Sequence, residues 1–218
     1  PLAMTTIAII DYGGSNLKSV YKALESVSSK KINVKVSSDV TEIVNSDKIV
    51  FPGQGAIGNC MSQLKKTGLS RKIENLCQTK PFLGICLGLQ SLMRTSEEDN
   101  GTACLNLIEG EVKRFKKPSN ISGKNLDKIP HMGWNNVYWE KKHPLMEGIP
   151  SGTRFYFVHS YFVRPKDPEL IVGKTNYLGE FTSSIGRENI FATQFHPEKS
   201  SAAGLKLLEN FVKWDGSG

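Results

Sequence analysis

Residues 81–90, PFLGICLGLQ, constrain the fold of this 218-residue chain more than any other stretch. A short apolar run leads into Cys86, and Gly84 and Gly88 lie two residues on either side of it. This Gly-x-nucleophile-x-Gly spacing is typical of a nucleophile elbow, a tight strand-to-helix turn that exposes its central side chain above a sheet. Side chains in place of the two glycines would collide, so we predict a buried strand that ends at Cys86.

Cys86 is therefore a candidate nucleophile. If a helix covers residues 87–93, its unpaired N–H groups and positive dipole end lie beside the sulfur and favour a thiolate over a thiol. The alternative is a small apolar side chain in a core strand, which is how most free cysteines behave. The elbow pattern by itself leaves both interpretations open.

The number and spacing of the cysteines, together with the length of the chain, limit the class of protein. The chain has four cysteines, Cys60, Cys77, Cys86 and Cys104. They form no Cys-x-x-Cys pair, and no signal peptide or long apolar run is present, so we expect a reducing, cytoplasmic setting and no membrane span. Without a linker-like stretch, we predict one domain over residues 4–215, with residues 1–3 before Met4 an added remnant.

The formal charge of +7 comes from 28 Lys and Arg against 21 Asp and Glu. No aromatic-interleaved basic motif or recognition-helix pattern accompanies the basic clusters. We therefore predict a solvated basic surface, or attraction to an acidic partner or anionic substrate, and no nucleic-acid binding. The Gly13-Gly14 turn lacks the dinucleotide fingerprint and a phosphate-loop Lys-Ser/Thr pair, so no cofactor is expected there.

Hydrophobic periodicity predicts an α/β fold. In the first half, predicted strands alternate with helices; the strands cover residues 6–10, 34–37, 48–51 and the elbow strand, and the helices cover 16–26, 40–44, 58–67 and 69–78. Asp39 is the predicted cap of the second helix. Such alternation predicts a parallel sheet flanked by helices, with Cys86 and the loop 52–55 at the carboxyl ends of strands.

The second half changes pattern. Short β runs cover residues 111–115, 134–139, 154–157, 171–175, 181–185 and 190–194. We predict that these runs add antiparallel strands to the mostly parallel central sheet. A closing helix is predicted over residues 200–213, with Leu205, Leu208 and Val212 on one face.

The loop Pro52-Gly53-Gln54-Gly55 is a second candidate for a catalytic role. Flanking glycines let a peptide rotate and aim a backbone N–H at a developing oxyanion. The alternative is an ordinary turn between a strand and a helix.

A thiol nucleophile needs a base, and the chain has four histidines, His131, His143, His159 and His196. His196 follows an apolar strand, and the fixed φ of Pro197 can hold the carboxylate of Glu198 near its imidazole. This pattern predicts a Cys86–His196–Glu198 triad, the alternative being a surface histidine in a turn.

The other three histidines are weaker candidates for the base. His143, before Pro144 in a basic loop, is expected to be exposed. His131 and His159 lie near aromatic residues and are expected to be half-buried with their hydrogen bonds satisfied.

Six segments, in this order, resemble class I glutamine amidotransferases: IDYGGSNL, FPGQGA, LGICLGLQ, PHMGWN, YFVHSY and QFHPEKS. More narrowly, they are similar to the glutaminase subunits of imidazole glycerol phosphate synthase. The resemblance covers nearly the whole chain, and PHMGWN separates these subunits from the glutaminase domains that serve GMP, anthranilate or carbamoyl phosphate synthesis.

The resemblance implies that Cys86, His196 and Glu198 are a catalytic triad that hydrolyses glutamine to glutamate and ammonia. It implies an oxyanion hole at the backbone of Leu87, Gln54 and Gly55. It implies substrate contacts at Gly53, Gln90, Ser160 and Tyr161. The family's partner contacts fall at Asn16, Trp134 and Lys199.

The resemblance further implies a heterodimer with a (β/α)₈ cyclase that uses the ammonia in histidine biosynthesis, with no metal or organic cofactor. The sequence departs from the family at Gln54, at Gly14-Ser15 and at residues 102–106. The departures at Gln54 and at residues 102–106 keep a paralogous glutaminase open, one that supplies ammonia for amination of a nucleotide sugar in surface polysaccharide synthesis. A third alternative is a non-enzymatic regulatory protein, against which the intact triad argues.

Overall fold

The computed structural model describes residues 4–13, 17–118 and 127–218 of the chain. Its first half alternates strands and helices, as predicted. The strands are β1 (Thr5–Ile10), β2 (Ile32–Ser37), β3 (Lys48–Gly53) and β4 (Phe82–Cys86). The helices are α1 (Lys18–Val27), α2 (Val40–Val44), α3 (Ile57–Thr67), α4 (Leu69–Thr79) and α5 (Leu87–Gln90). Asp39 caps α2 as predicted, because its carboxylate accepts the N–H groups of Thr41 and Glu42.

The second half is mainly β-structure and closes with helix α6 (Ser201–Lys213). Its strands are β5 (Thr95–Ser96), β6 (Thr102–Ala103), β7 (Gly110–Arg114), β8 (His131–Trp139), β9 (Thr153–His159), β10 (Tyr161–Pro165), β11 (Ile171–Asn176), β12 (Glu180–Arg187) and β13 (Ile190–Thr193). Among the helices of the described ranges, none is long and apolar enough to cross a membrane.

The strand order brings three loops together. Strands β2, β1, β3, β4 and β13 are neighbours in that order and pair in parallel. The sheet continues through antiparallel pairs of β13 with β12, β12 with β10 and β10 with β7, while β11, β8 and β9 extend from β12. This architecture confirms the predicted fold class. The segments after β3, β4 and β13 meet at one edge because these strands are parallel neighbours.

Alternate residues of the parallel strands supply two cores, one on each face of the sheet. Ile7 and Ile9 of β1 pack on the side that holds α1 and α6, with Leu24 and Phe211 among their cluster. Ala8 and Ile10 belong to the opposite cluster, which contains Leu64 of α3 and Ile73 of α4. Burial on both faces explains why the strands are continuously apolar.

Helix α5 is shorter than predicted, ending at Gln90. The carbonyl oxygens of Ser91, Leu92 and Met93 accept N–H groups from residues 105–108, so they are unavailable to a continuing helix. One turn of helix remains after the elbow, so its dipole favours a thiolate at Cys86 less than a helix over residues 87–93 would.

The inner face of α6 also differs from the prediction. Leu208 and Val212 are buried as expected, but Leu205 is 37% exposed. Leu207 and Phe211 are fully buried in its place, so the apolar stripe is rotated away from Leu205.

The sequence pattern missed β10 as well as the short strands β5 and β6. Arg164 and Pro165 interrupt the apolar alternation of β10, which nevertheless pairs with β7 from Tyr161↔Arg114 to Pro165↔Gly110. Long-range pairing decides the conformation here, because strand propensity depends on the neighbours that a strand meets.

Lys48 is buried and ties β3 to the end of α6. Its Nζ donates to the main-chain oxygens of Phe211, Val212 and Trp214. The last carbonyls of a helix have no partner inside the helix, so a buried ammonium can satisfy them. Burial lowers the pKa of Lys48.

Candidate active site

Cys86 ends β4 in a strained turn. Its φ of 56° and ψ of −106° lie outside the regions that L-residues usually occupy. A Cβ on Gly88 would come within 1.9 Å of the Phe51 main-chain oxygen, and one on Gly84 within 2.8 Å of the Gly88 oxygen. Both positions therefore exclude a side chain, and the predicted elbow is confirmed. Such strain persists where the surrounding structure enforces it, commonly at functional sites.

Cys86 lines a cavity of about 300 Å³ at the carboxyl edge of the parallel strands. This volume lies at the lower end of the range typical of small-molecule sites. The predicted site residues that line it are Gln54, Gly55, Cys86, Leu87, Gln90, Ser160, Tyr161 and His196. Residues from distant parts of the sequence thus converge on one cavity.

His196 follows β13, the parallel neighbour of β4. Its Nδ1 lies 2.7 Å from Oε1 of Glu198, and the two side chains are 1% and 3% exposed. In the part of the chain that the structure describes, Nε2 of His196 and Oε2 of Glu198 have no hydrogen-bond partner. The bond at Nδ1 holds the ring and leaves Nε2 available on the side of the cavity that Cys86 lines.

The pKa of His196 depends on two neighbouring side chains, those of Cys86 and Glu198. Burial by itself would lower the pKa of His196, but Cys86 and Glu198 outweigh burial and raise that pKa to about 10. The amide of Gln194 also donates to Sγ of Cys86, at 3.5 Å. The geometry therefore suits a thiolate beside an imidazolium, which is the arrangement of an activated cysteine nucleophile.

The loop after β3 packs closely against the elbow. Gly53 pairs with Cys86 across the parallel strands β3 and β4. A Cβ on Gly53 would lie 2.6 Å from the Tyr12 hydroxyl and 2.8 Å from Cβ of Leu87. Gly55 has a φ of +92°, which L side chains rarely adopt. Both glycines are thus required by the conformation of this loop.

The far end of the cavity is organised by Gln90. Its amide donates to the main-chain oxygen of Tyr161 at 3.2 Å and to Oε1 of Gln194 at 3.0 Å. Ser160 separates β9 from β10 and lines the same end of the cavity. Gln90 therefore ties the start of β10 to Gln194, two residues before His196.

Sequence reasoning missed Gln194 and Glu98. Gln194 belongs to the segment QFHPEKS, so a signal for it was present. Glu98 lines the cavity from the loop after β5, where its carboxylate accepts the Ile57 N–H at 3.3 Å. Burial raises the pKa of Glu98. Nothing in the acidic run 97–99 distinguishes Glu98 from its neighbours, so only the fold singles it out.

The predicted partner residues are not in the cavity. Trp134 is 43% exposed on β8, and Lys199 is exposed in the turn that follows Glu198. Asn16 lies outside the described residues. Within the described ranges, no group of three or more His, Cys, Asp or Glu side chains is placed to hold a metal ion.

His143 is buried, contrary to the prediction that it is exposed. Its ring packs against Phe191 and Trp214, at 4.6 and 5.4 Å between ring centroids. Its Nδ1 accepts the Leu145 N–H at 3.1 Å and caps a short turn. Burial, with a smaller contribution from Lys141, lowers the pKa of His143 to about 4. His143 does not line the cavity.

The sequence as a whole matches the family model described as Glutamine amidotransferase class-I over residues 8–214. The chain therefore belongs to the class I glutamine amidotransferase family. Within that family it is 47% identical over 213 residues to imidazole glycerol phosphate synthase subunit HisH 1 of Pseudomonas aeruginosa, a match that covers 98% of this chain and 99% of the relative. It is 50% identical over 212 residues to the subunit HisH of Nitrosomonas europaea, covering 97% and 99%.

Solved structures agree on the fold. A putative GMP synthase protein from Thermoplasma acidophilum matches with a TM-score of 0.72 at 19% identity, covering 98% of this chain and 94% of the other. The structure of PurLQS from Thermotoga maritima matches with a TM-score of 0.69 at 18% identity, covering 96% and 98%. At these identities the likeness concerns the fold alone.

Proposed function

We propose that this chain is the glutamine-hydrolysing subunit of imidazole glycerol phosphate synthase and supplies ammonia for histidine biosynthesis in the cytoplasm. The observation that carries the proposal is the strained Cys86 elbow, which shares a cavity with the His196–Glu198 pair. Relatives named as this synthase subunit, 47% and 50% identical over nearly their whole lengths, support the pathway.

In the proposed reaction, the Cys86 thiolate attacks the side-chain amide carbon of glutamine. Backbone N–H groups of Leu87 and of the Gln54–Gly55 loop stabilise the oxyanion that forms. The His196 imidazolium donates a proton to the leaving nitrogen, so ammonia departs and a glutamyl thioester remains. His196, now neutral, takes a proton from water, which attacks the thioester and releases glutamate and the thiolate.

Glu198 orients the imidazole and favours its cationic form, as the raised pKa of His196 indicates. Gln90 and the backbone of Ser160 and Tyr161 are proposed to bind the amino-acid end of glutamine, opposite the reacting amide. Gly53 contributes by allowing the loop to approach Leu87. This chemistry requires no metal or organic cofactor, because the thiolate, the imidazole and the oxyanion donors supply each step.

A partner is proposed because free ammonia becomes mostly ammonium in neutral water and then cannot act as a nucleophile. Strand β8 offers a docking surface, since Met132, Trp134 and Tyr138 alternate on one face and are 63%, 43% and 48% exposed. Trp134 pairs with Tyr156 of β9, whose main-chain oxygen accepts the His196 N–H. A (β/α)₈ cyclase seated there would lie close to the site that releases ammonia.

Glutamine hydrolysis should be measured for the chain alone, with the cyclase subunit of the same organism, and with the cyclase plus its acceptor. We expect kcat to rise with each addition and ammonia to appear in the imidazole product. The Gln54–Gly55 peptide can rotate, and completing an oxyanion hole with one donor changes rates by about 10²–10³. Equal kcat in all three mixtures would leave a constitutive glutaminase, and transfer to a nucleotide sugar instead would favour the paralogous synthase.

A further inference from the structure

A buried chain of hydrogen bonds runs from β8 to the substrate end of the cavity. Nδ1 of His131 lies 2.9 Å from Nε2 of His159, and Nδ1 of His159 lies 2.7 Å from the main-chain oxygen of Tyr161. At the other end, Nδ2 of Asn135 lies 3.2 Å from Nε2 of His131. His159 and Tyr161 both line the cavity. Two histidines outside the triad thus connect Asn135 to the cavity wall.

The groups at the two ends of this hydrogen-bonded chain, the Tyr161 carbonyl and the Asn135 amide, determine which ring nitrogens of the two histidines carry hydrogen. A carbonyl oxygen only accepts, so Nδ1 of His159 carries the hydrogen, and Nε2 of the neutral ring must accept. His131 therefore donates from Nδ1 and accepts at Nε2. The amide of Asn135 is the matching donor, because its Oδ1 already accepts the Asn136 N–H at 2.7 Å. Both ends require the same pair of tautomers.

The two rings are held neutral and immobile. Burial lowers the pKa of His131 to about 4 and that of His159 to about 3. The ring of His131 stacks between Tyr177 and Phe157, at 3.9 and 4.7 Å between centroids. Phe115 contacts both imidazoles edge-on. A ring packed in this way cannot rotate to exchange its two nitrogens without displacing its neighbours.

The carbonyl that His159 holds is shared with Gln90. The Gln90 amide donates to the Tyr161 oxygen and also to Gln194, whose own amide donates to Sγ of Cys86. The position of this one carbonyl therefore helps to set both the backbone at the far end of the cavity and the amide of Gln90.

We propose that His131 and His159 are positioning residues for the amino-acid end of glutamine, and that Asn135 selects their tautomers from β8. The inference rests on the proposed function. Because the segment they hold is the one proposed to bind the amino-acid end of glutamine, we expect their loss mainly to remove binding that is equal in the ground state and the transition state. Such a loss raises KM and leaves kcat nearly unchanged.

Two substitutions at His131 separate positioning from packing. His131→Asn keeps an N–H where Nδ1–H stood, so it still donates to His159, but it leaves a cavity among the rings. His131→Phe fills the space and keeps the stack on Tyr177, but leaves Nε2 of His159 without a donor. If His131 acts by positioning His159, KM should rise about ten-fold in His131→Phe and less than about two-fold in His131→Asn. If His131 acts only by packing among the rings, His131→Asn should have the higher KM of the two variants.

Asn135→Asp tests the tautomer without changing the size of a side chain. A carboxylate only accepts, so it takes a hydrogen bond from Nε2 of His131, and the neutral ring then has the opposite tautomer and loses its bond to His159. Because a carboxylate also favours an imidazolium, which would keep that bond, KM is measured at the alkaline end of the pH range in which the wild type is active. We expect KM for glutamine to rise about ten-fold with little change in kcat. The substitution also removes the bond from the Asn135 amide to the Asn176 oxygen.

The matched control is Asn189→Asp, which loses two amide bonds to main-chain oxygens, those of Cys77 and Lys80, but neither contacts His131 nor lines the cavity. Its KM should be unchanged.

All variants are measured as the complex with saturating cyclase and acceptor, and thermal unfolding checks that each is folded. If both His131 variants fail to fold, comparison of Asn135→Asp with Asn189→Asp decides. Unchanged KM in Asn135→Asp, or a higher KM in His131→Asn than in His131→Phe, overturns the positioning role. Absence of a trapped glutamyl thioester on Cys86 in the wild type would instead overturn the proposed function.

Discussion

His196 and the His131–His159 pair are buried to a similar extent but lie in opposite electrostatic settings. The three residues are 1%, 3% and 7% exposed, respectively. His196 contacts Glu198 and Cys86, and its pKa is raised to about 10 despite its burial. The pair contacts aromatic rings, an amide and a carbonyl, and burial lowers the pKa of both rings.

This difference shows that burial alone keeps an imidazole neutral, because removing water disfavours the charged form. An anionic neighbour is needed to reverse that effect. The same residue type is thus proposed to act as an acid and base where Glu198 and Cys86 flank it, and as a rigid hydrogen-bonding spacer where they do not.

Removing the nucleophile should have the largest effect. In Cys86→Ser the thiol that attacks glutamine in the proposed reaction is lost, and glutamine hydrolysis by the complex should fall by about 10⁴-fold or more, as in other sites that lose a nucleophile. The fold should persist, because serine is as small as cysteine at the strained turn. Steady-state glutaminase assays measure the loss. Cys104→Ser, a half-buried cysteine outside the cavity, is the control, and retained turnover in Cys86→Ser would remove Cys86 from the mechanism.

Removing the carboxylate should cost less. Glu198→Gln keeps the nucleophile and the base, so we expect kcat to fall by about 10²-fold. Glu198 raises the pKa of His196, and without it that pKa falls. The alkaline limb of the kcat/KM profile should therefore move to lower pH. If Glu198→Gln has the activity and the pH profile of the wild type, Glu198 is not a member of the triad. The contrast between the two histidine regions would then be weaker.

The neutral histidines should make stability depend on pH. The pKa values of His131, His143 and His159 are about 4, 4 and 3 in the folded chain, against about 6.5 when unfolded. Between these values the unfolded chain binds more protons, so the contribution of these three histidines to the free energy of unfolding is complete above pH 6.5 and is lost as the pH drops toward 4.

His143→Asn isolates one of these contributions while its Oδ1 can still cap the Leu145 N–H. The free energy of unfolding in urea should fall between pH 7 and pH 5 in both proteins. We expect this fall to be about 2 kcal/mol smaller in the variant than in the wild type. The same pH dependence in both proteins would contradict the neutral, buried state of His143.

The smallest effect is expected at Lys199. This exposed ammonium follows Glu198 and is proposed to transmit partner binding to the site, so Lys199→Ala should reduce activation of kcat by about five-fold, equivalent to roughly 1 kcal/mol. KM for glutamine should stay constant. Lys166→Ala, an exposed lysine remote from the cavity, serves as the control. If both variants are activated like the wild type, Lys199 is simply a solvated charge.

The sequence by itself determined the elements whose geometry is local. The spacing of Gly84, Cys86 and Gly88 predicted the elbow, because each glycine meets backbone within the same strand–turn–helix unit or the adjacent β3. Alternation of apolar strands and amphipathic helices predicted the parallel sheet. The proline between His196 and Glu198 predicted their contact, since Pro197, whose φ is fixed, is the one residue that separates them.

Only the tertiary structure decided features that depend on distant partners. Helix α5 stops early because residues 105–108 bond to its following carbonyls, and β10 forms because β7 pairs with it. His143 is buried because Phe191 and Trp214 enclose it. The same holds for Glu98 and for the chain from Asn135 to Tyr161, whose members are separated in sequence. Their roles arise from packing and hydrogen bonding between strands, for which no local pattern of residues is a signal.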